Sequence, residues 1–522
     1  MQVRSERRSA WSTLLLHCGC VLLLMWPAIA NRAPFFFPDT TSYVRSADIV
    51  AFMNSGGRIA TAWSDRYRAE LGGKQPASEA APSRSPTPAH IAPRPGNDIG
   101  AGNIMSGRSP YFGALLYLAY VASDFWLFLL AQAIVAYVLI RLTLRLFAVA
   151  RPTATLTMVA VLAALTSLPF YVTLLLADAL AGFGILAFLL LAIGRGRLRP
   201  GETAFLVAVI LVSAVSHLTH IVVLLAMTAT LGLIVATRRA SWADSRTAVV
   251  VGMVGVAIGL ASVWLTAQVV TRTFNRPPQL VPLLTSRLVE DGPGADFIHA
   301  GCDGMRFIVC RLPNGDRRNA NDFLWSPDPK RGVFMPADPA TRRSMSAEDG
   351  AFARAVLEAD PLGVATAMVR NTVRQAVDFG NDGLNQGCFD APDCWTSLPA
   401  GQRDRLQASL SGRRLWPNRM LDVVQYGVVV VSLAFVGIRL GRSRRATTSA
   451  TADLRLWFAL LLVALVVNAA VCGAVSIPQY RYQARIIWLL PFLGALLATI
   501  DFRAAGAPFG RRGPRLAGMA ER

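Results

Sequence analysis

Charge is what this 522-residue sequence has least of: Asp, Glu, Lys and Arg together supply only 16% of it, against about a quarter in a soluble globular chain. That shortage excludes an ordinary water-soluble surface. Lysine is nearly missing as well, so the basic complement is almost entirely arginine. The chain has no Walker A loop, no dinucleotide fingerprint and no zinc-protease helix, which leaves ATP-driven and nicotinamide chemistry without support. No internal repeat is visible, although a transporter or flippase built from paired halves should carry one. What the sequence has in excess is apolar: 53% hydrophobic residues mark an integral membrane protein.

Apolar runs of spanning length cover residues 11–30, 125–147, 156–172, 173–193, 248–270, 421–438, 456–477 and 486–500. The run 203–236 is too long for one span and is interrupted by Ser216-His217-Leu218-Thr219-His220, so it reads as two helices joined by a short turn. The expected architecture is an all-α polytopic membrane protein with about ten transmembrane helices. The formal charge of +20 suggests nucleic acid until its distribution is considered. Arg4, Arg7 and Arg8 precede the first span; Arg141, Arg145 and Arg151 follow the second; Arg195, Arg197 and Arg199 follow the fourth; and Arg238, Arg239 and Arg246 follow the sixth. Arg439, Arg442, Arg444 and Arg445 follow the eighth, and Arg503, Arg511, Arg512 and Arg515 fill the tail. With ten spans all of these fall on one side, so the positive-inside rule assigns both termini to the cytoplasm and the charge calls for no nucleic acid. The expected location is a bacterial cytoplasmic (inner) membrane. Ala28-Ile29-Ala30 also fits a signal-peptidase site, but the long apolar run and the polytopic chain behind it favour a retained span.

The chain then divides into a first span (1–30), an extracytoplasmic loop (31–123), spans two to seven (124–270), a mainly helical extracytoplasmic domain (271–418), spans eight to ten (419–500) and a basic cytoplasmic tail (501–522). The loop opens on Pro38-Asp39-Thr40-Thr41-Ser42-Tyr43, continues as a short helix from Thr40 to Met53, and becomes a flexible Pro/Ser/Ala-rich stretch over 74–103. An apolar run over 112–122 is too short to span and reads as an interfacial helix. In the later domain, Ser346 and Asp349 have capping-box spacing, and apolar residues on both sides of Pro361 predict an amphipathic helical pair. Cys302 with Cys310 and Cys388 with Cys394 read as two local disulfides in an oxidising compartment; neither pair has the spacing of a zinc site. Cys18, Cys20 and Cys472 lie in spans as small core residues.

Chemistry in such a chain comes from polar side chains where a membrane protein otherwise avoids them. Asp39 lies just beyond the first span and is either the N-cap of the helix that follows or a base acting on a water-borne acceptor. Asp178, near the outer end of the fourth span, is an interfacial helix cap or a second acid that positions an acceptor or, with Asp39, holds a divalent cation. His217 and His220 fall on one helix face at a turn, as hydrogen-bonded loop residues or as donors to a phosphate. Gln479-Tyr480-Arg481-Tyr482-Gln483-Ala484-Arg485 stands just outside the last span, where Tyr480 and Tyr482 suit an interface belt and Arg481 and Arg485 suit a phosphodiester or pyrophosphate.

An outward Asp motif after the first span, an Arg108-Ser109-Pro110-Tyr111 segment before the second, an acid in the fourth and Arg-Tyr before the last together resemble the GT-C superfamily of polytopic glycosyltransferases. Its members include protein O-mannosyltransferases and lipid A aminoarabinose transferases. The resemblance covers the membrane framework, mainly 11–270 and 420–500. It implies transfer of a sugar from a polyprenyl-phosphate donor, with inversion, to an extracytoplasmic glycan, lipid or protein. It makes Asp39 the general base, Asp178 the later acid that helps bind acceptor or metal, and Arg481 or Arg485 the cation that neutralises the leaving phosphate; Arg108, His217 and His220 are further candidates for the donor phosphate. Tyr43 and Tyr480 would contact substrate. Some of these families pair two acids in the first loop; here Asp39 stands alone, which leaves a metal requirement open. An O-antigen polymerase or ligase is the alternative, relying on outer Arg and His in place of an early Asp. A transporter of lipid-linked sugars and a non-catalytic scaffold also remain open, and nothing in the sequence sets the oligomeric state.

Overall fold

Inside a bilayer the backbone must satisfy its own hydrogen bonds, so apolar runs of this length fold as helices. The computed structural model describes residues 2–65, 104–194, 196–237, 240–385, 387–442 and 449–500. The Pro/Ser/Ala-rich stretch, the basic tail, Arg195, Arg238, Arg239, Arg444, Arg445 and the side chains of Arg4, Arg7 and Arg8 lie outside the described residues. In chain order the main helices are α1 (Gln2–Asn31), α2 (Pro38–Asn54), α3 (Pro110–Ser123), α4 (Trp126–Leu146), α5 (Pro152–Leu165), α6 (Leu168–Val172), α7 (Asp178–Gly194), α8 (Pro200–Ser216), α9 (Leu218–Ala236) and α10 (Trp242–Phe274). After them come α11 (Pro339–Ala359), α12 (Pro361–Val377), α13 (Asn418–Arg442), α14 (Ser449–Ala470), α15 (Tyr480–Ile487) and α16 (Leu489–Thr499).

Among the described residues, seven helices are long and apolar enough to cross a membrane: Thr13–Asn31, Trp126–Leu146, Leu218–Ala236, Trp242–Phe274, Asn418–Arg442, Ser449–Val475 and Tyr480–Thr499. Four more apolar helices, α3, α5, α7 and α8, are shorter. The chain is therefore a multi-pass, all-α membrane protein. At its centre is α7, apolar all round and buried at nearly every position, as a helix surrounded by others must be. It touches α4, α8, α9, α10, α14 and α15. By contrast α10 and α13 expose Val250, Val254, Leu260, Val423, Val430 and Val431, the kind of surface that lipid covers.

Three breaks in these helices matter for the site. The predicted span 173–193 does not begin as helix: α6 stops at Val172, and the segment before Asp178 is extended where Leu174 bridges Phe35 in parallel. Two backbone bonds make that bridge, Phe35 N–H to Thr173 O at 3.1 Å and Leu175 N–H to Phe35 O at 3.0 Å. The predicted span 156–172 is likewise divided, with Thr166 and Ser167 between α5 and α6. The last span starts earlier than its apolar run implies. Tyr480 to Ile487 are helical and the helix is interrupted at Trp488, because Pro491 cannot donate a bond back to the Ile487 carbonyl. Arg481 and Arg485 thus sit inside the final span, where they were expected just outside it.

In the 271–418 region Phe297, Phe307, Phe323, Phe334 and Phe352 form a separate core. The expected helical pair is α11 and α12, but Ser346 and Asp349 do not begin a helix. Asp338 caps α11 by accepting from Ala340 N–H and Thr341 N–H. Asp349 instead accepts from Thr285 N–H at 2.7 Å, tying α11 to the short helix Leu283–Asp291. Both cysteine pairs form disulfides, Cys302–Cys310 and Cys388–Cys394. A two-residue parallel pairing of Met105 and Ser106 with Gln279 and Leu280 joins this domain to the first loop.

Candidate functional site

The Asp39 turn is assembled by its own sequence. Pro38 starts α2 with a fixed φ, and Thr40 caps it backwards by accepting from Phe37 N–H at 3.0 Å. Asp39 is therefore not the N-cap; it lies in the first helical turn, where the helix dipole favours a carboxylate and leaves the side chain available to other partners. Thr40 Oγ1 also donates to Leu175 O at 3.0 Å. Together with the Phe35–Leu174 bridge, this fixes the Asp39 turn against the segment that leads into Asp178. The carbonyl of Phe37 faces the Cys388–Cys394 disulfide, 4.0 and 3.8 Å from the two sulfurs.

Asp178 opens α7 with 4% of its surface exposed, and α15 is laid against it by Gly182. A Cβ at Gly182 would lie 2.7 Å from Trp488 Nε1 and 3.0 Å from the Arg485 carbonyl. Ser167, at the break between α5 and α6, donates to the carbonyl of Ala484 at 2.6 Å, and Tyr171, in α6, donates to that of Arg481 at 3.2 Å. The same close packing brings both arginine side chains onto Asp178. Arg481 Nη1 donates to one carboxylate oxygen at 3.3 Å, and Arg485 Nη1 to the other at 3.1 Å. Arg481 Nη2 reaches across to Asp39 at 3.2 Å, and Arg108 closes the chain with an ion pair to Asp39 at 2.5 Å. Arg108 is placed by Ser109, which caps α3 by accepting from Phe112 N–H at 3.2 Å and donates to Val215 O at 2.6 Å.

The result is one chain of charge, Arg108–Asp39–Arg481–Asp178–Arg485, from residues spread over most of the sequence. Three guanidinium groups meet two carboxylates, leaving one net positive charge. Arg481 and Arg485 are 7% and 1% exposed, a burial tolerable only because each is paired. Two aromatic rings complete their surroundings. The Arg481 guanidinium lies 4.3 Å from the Phe37 ring and 4.7 Å from that of Tyr482, and Arg485 lies 5.3 Å from Tyr482. Arg485 Nη2 also donates to Thr219 Oγ1 and Asn468 Oδ1, each at 2.9 Å, while its buried Nε has no hydrogen-bond partner among the described residues.

Sequence reasoning brought Asp39, Asp178, Arg108, Arg481 and Arg485 to this site, and the structure joins all five. The other expected residues are placed differently. His217 accepts from Thr219 N–H at 3.2 Å as the cap of α9, and His220 Nδ1 is 2.9 Å from Ser213 O, so the two rings border the Arg485 end without touching either carboxylate. Tyr43 is buried edge-on against Phe112, with ring centroids 4.8 Å apart, and burial raises its phenol pKa. Tyr480 packs on Gly383, and its neighbour Tyr482 is the tyrosine at the arginines. Asn468, Thr219, Phe37 and Tyr482 were missed. Asn468 was findable, being the sole amide in the apolar run 456–477. Asp39 and Asp178 do not fit a divalent cation, because Arg481 stands between them and Arg108 and Arg485 occupy their remaining oxygens. Nor do any three His, Cys, Asp or Glu side chains gather as metal ligands among the described residues.

Burial alone would raise the Asp39 pKa, but Arg108 and Arg481 outweigh it and hold the carboxyl below its ordinary value. A carboxylate with a lowered folded-state pKa contributes stability that is fully present above its unfolded value, about 3.9, and is lost as pH falls through the lower folded value. The melting difference between the wild type and Asp39→Asn, measured in detergent, should therefore stay constant from neutral pH down to about 5 and shrink only below about 4. A difference that vanishes near pH 6 would contradict these pairings. Comparison with protein-family models, with curated proteins and with solved structures finds no match to this chain.

Proposed function

We propose that the protein is a membrane glycosyltransferase of the bacterial cytoplasmic membrane. It transfers a sugar from a polyprenyl-phosphate donor to a hydroxyl on an extracytoplasmic glycan, lipid or protein. In this reading the chain crosses the membrane ten times with both termini in the cytoplasm, the shorter helices α5, α7 and α8 counting as passes beside the seven long ones. The charge chain then lies at the outer face. The observation that carries the proposal is the excess of positive charge in that chain: three arginines, two of them buried, are held by only two acids. A protein stabilised by ion pairing alone has no use for the third charge, whereas a phosphodiester brings one negative charge and planar oxygens that match the guanidinium fork.

The chemistry follows from that charge balance. The acceptor oxygen attacks the anomeric carbon as the bond from that carbon to the phosphate oxygen breaks, and polyprenyl phosphate leaves with the bonding electron pair. Arg481, with Arg485 and Arg108, would stabilise the added charge on the departing phosphate. Asp39 would take the acceptor proton. Pinned between two arginines, Asp39 is a poor base; a phosphate that draws Arg108 and Arg481 towards itself weakens those pairs and raises the basicity of the carboxylate. Donor binding and base activation are thereby coupled. An O-antigen polymerase or ligase would use the arginines and histidines without needing Asp39.

Comparing a deletion strain with its parent tests the proposal. The expected result is loss of one sugar from a surface glycan, lipid or protein, with the corresponding polyprenyl-phosphate sugar accumulating. Unchanged glycans together with unchanged lipid-linked sugars would sink it.

A further inference from the structure

One face of α12 is large, apolar and uncovered. Val364, Ala367, Asn371 and Gln375 are its buried residues, three or four apart as a single helix face requires. They pack where α14 runs into the π-helical turn Val471–Val475 and onto the start of α15. Gly473 makes that approach possible, since a Cβ there would lie 2.5 Å from the Asn371 carbonyl oxygen. On the opposite side stand Leu362, Val369, Val373 and Val377, which are 79%, 64%, 58% and 60% exposed. They form one strip, because seven, four and four residues separate them. A helix in water with four large apolar side chains in line would be an aggregation hazard.

The depth of the helix identifies its partner. Val471–Val475 belongs to the membrane-spanning stretch Ser449–Val475, so a helix lying against that turn is at the level where the span leaves the bilayer. Its uncovered strip continues the apolar exterior of α13. Tyr426 of α13 donates to Val377 O at 3.0 Å, and Met420 and Val423 on the same helix are 61% and 74% exposed. Arg374 is exposed, and its stem can follow the apolar surface while its head meets lipid phosphates; Arg370, also exposed, pairs instead with Asp291 at 3.3 Å. We infer that α12 is seated in the bilayer surface, with Leu362, Val369, Val373 and Val377 immersed at the boundary between headgroups and acyl chains.

This inference rests on the multi-pass architecture and is independent of the glycosyl-transfer reading, but it bears on the same residues. Gln375 Nε2 donates to Gln479 O and Gln479 N–H to Gln375 Oε1, both at 2.9 Å, and Gln479 Oε1 accepts from Arg481 Nε at 2.8 Å. The lipid-seated helix is thus one side-chain contact away from the residue that positions Arg481. A lipid-linked substrate would meet the arginines close to where the bilayer itself is held.

Spin labelling of the full chain tests the placement. Nitroxides attached at Val369→Cys and Val373→Cys, each in a Cys18→Ser background, are compared with one at Lys330→Cys on an exposed turn. The proteins are reconstituted in liposomes of phosphatidylethanolamine and phosphatidylglycerol. Collisions with oxygen should exceed collisions with a polar nickel chelate at 369 and 373, and the order should reverse at 330. Nickel-dominated collisions at 369 and 373 would put the strip in water and overturn the inference. Shielding from both reagents would overturn it too, since the strip would then be covered by protein. Because the readout is local and the substitutions are mild, neither depends on transfer activity.

Discussion

Arg485→Met should be the most destabilising single substitution at the site, with a cost of about 3 kcal/mol, the lower end of the range for breaking a buried ion pair. The reason is what it leaves behind. Asp178, 4% exposed, would keep only Arg481 at 3.3 Å, a guanidinium it already shares with Asp39. Thr219 Oγ1 and Asn468 Oδ1 would each lose a charged donor at 2.9 Å. Methionine fills much of the same volume, so packing loss is a minor part of the effect. The double variant Arg485→Met with Asp178→Asn should recover more than half of the loss, because it removes the stranded charge along with its partner. Denaturant or thermal unfolding of purified protein in detergent, read as a double-mutant cycle, measures the coupling. If the single variant melts with the wild type, or the double variant is no better than the single, the Asp178–Arg485 pair is not the buried contact described here.

The membrane class and the five charged residues were legible in the sequence because the bilayer makes polarity conspicuous. Asp178 in an apolar run, and Arg481 and Arg485 on the side that the charge bias leaves poor in arginine, could be picked out one by one without any partner being known. Their connections could not be. The pairs Arg108–Asp39, Arg481–Asp39 and Arg485–Asp178 join positions about 70 to 440 residues apart, and no local pattern encodes such a contact. The helix starts also misled, for a physical reason: hydropathy places the beginning of the last span after the final arginine. A helix can extend back over Arg481 and Arg485 once acids from elsewhere neutralise them. Asp349 failed similarly. Its spacing from Ser346 fits a capping box, yet the preceding residues continue the helix and the carboxylate is recruited by Thr285. Asp39 followed the opposite course, since Thr40 performs the capping and the carboxylate serves the arginines.

That division of labour shapes the expected behaviour of Asp39→Asn, which should lower the rate of sugar transfer by about 10²–10⁴-fold, the usual contribution of a general base. The fold should be retained, at the modest cost in melting temperature that comes with losing the Asp39 charge. The asparagine oxygen can still accept from Arg108 or Arg481, and Thr40 and Pro38 keep the helix start unchanged. The split between kinetic parameters distinguishes a base from a structural anchor. Removing one negative charge leaves three guanidinium groups facing a single carboxylate, so an anionic donor should bind as well as before or more tightly, and KM should stay level or fall while kcat collapses. A purely structural Asp39 would instead raise KM or lower the yield of folded protein along with the rate. The assay pairs membrane-inserted, correctly melting variant protein with a polyprenyl-phosphate sugar and reads kcat and KM separately. Full turnover by Asp39→Asn would remove the acid from the chemistry and favour a lipid-linked-glycan polymerase or ligase that works through Arg481, Arg485 and the neighbouring histidines.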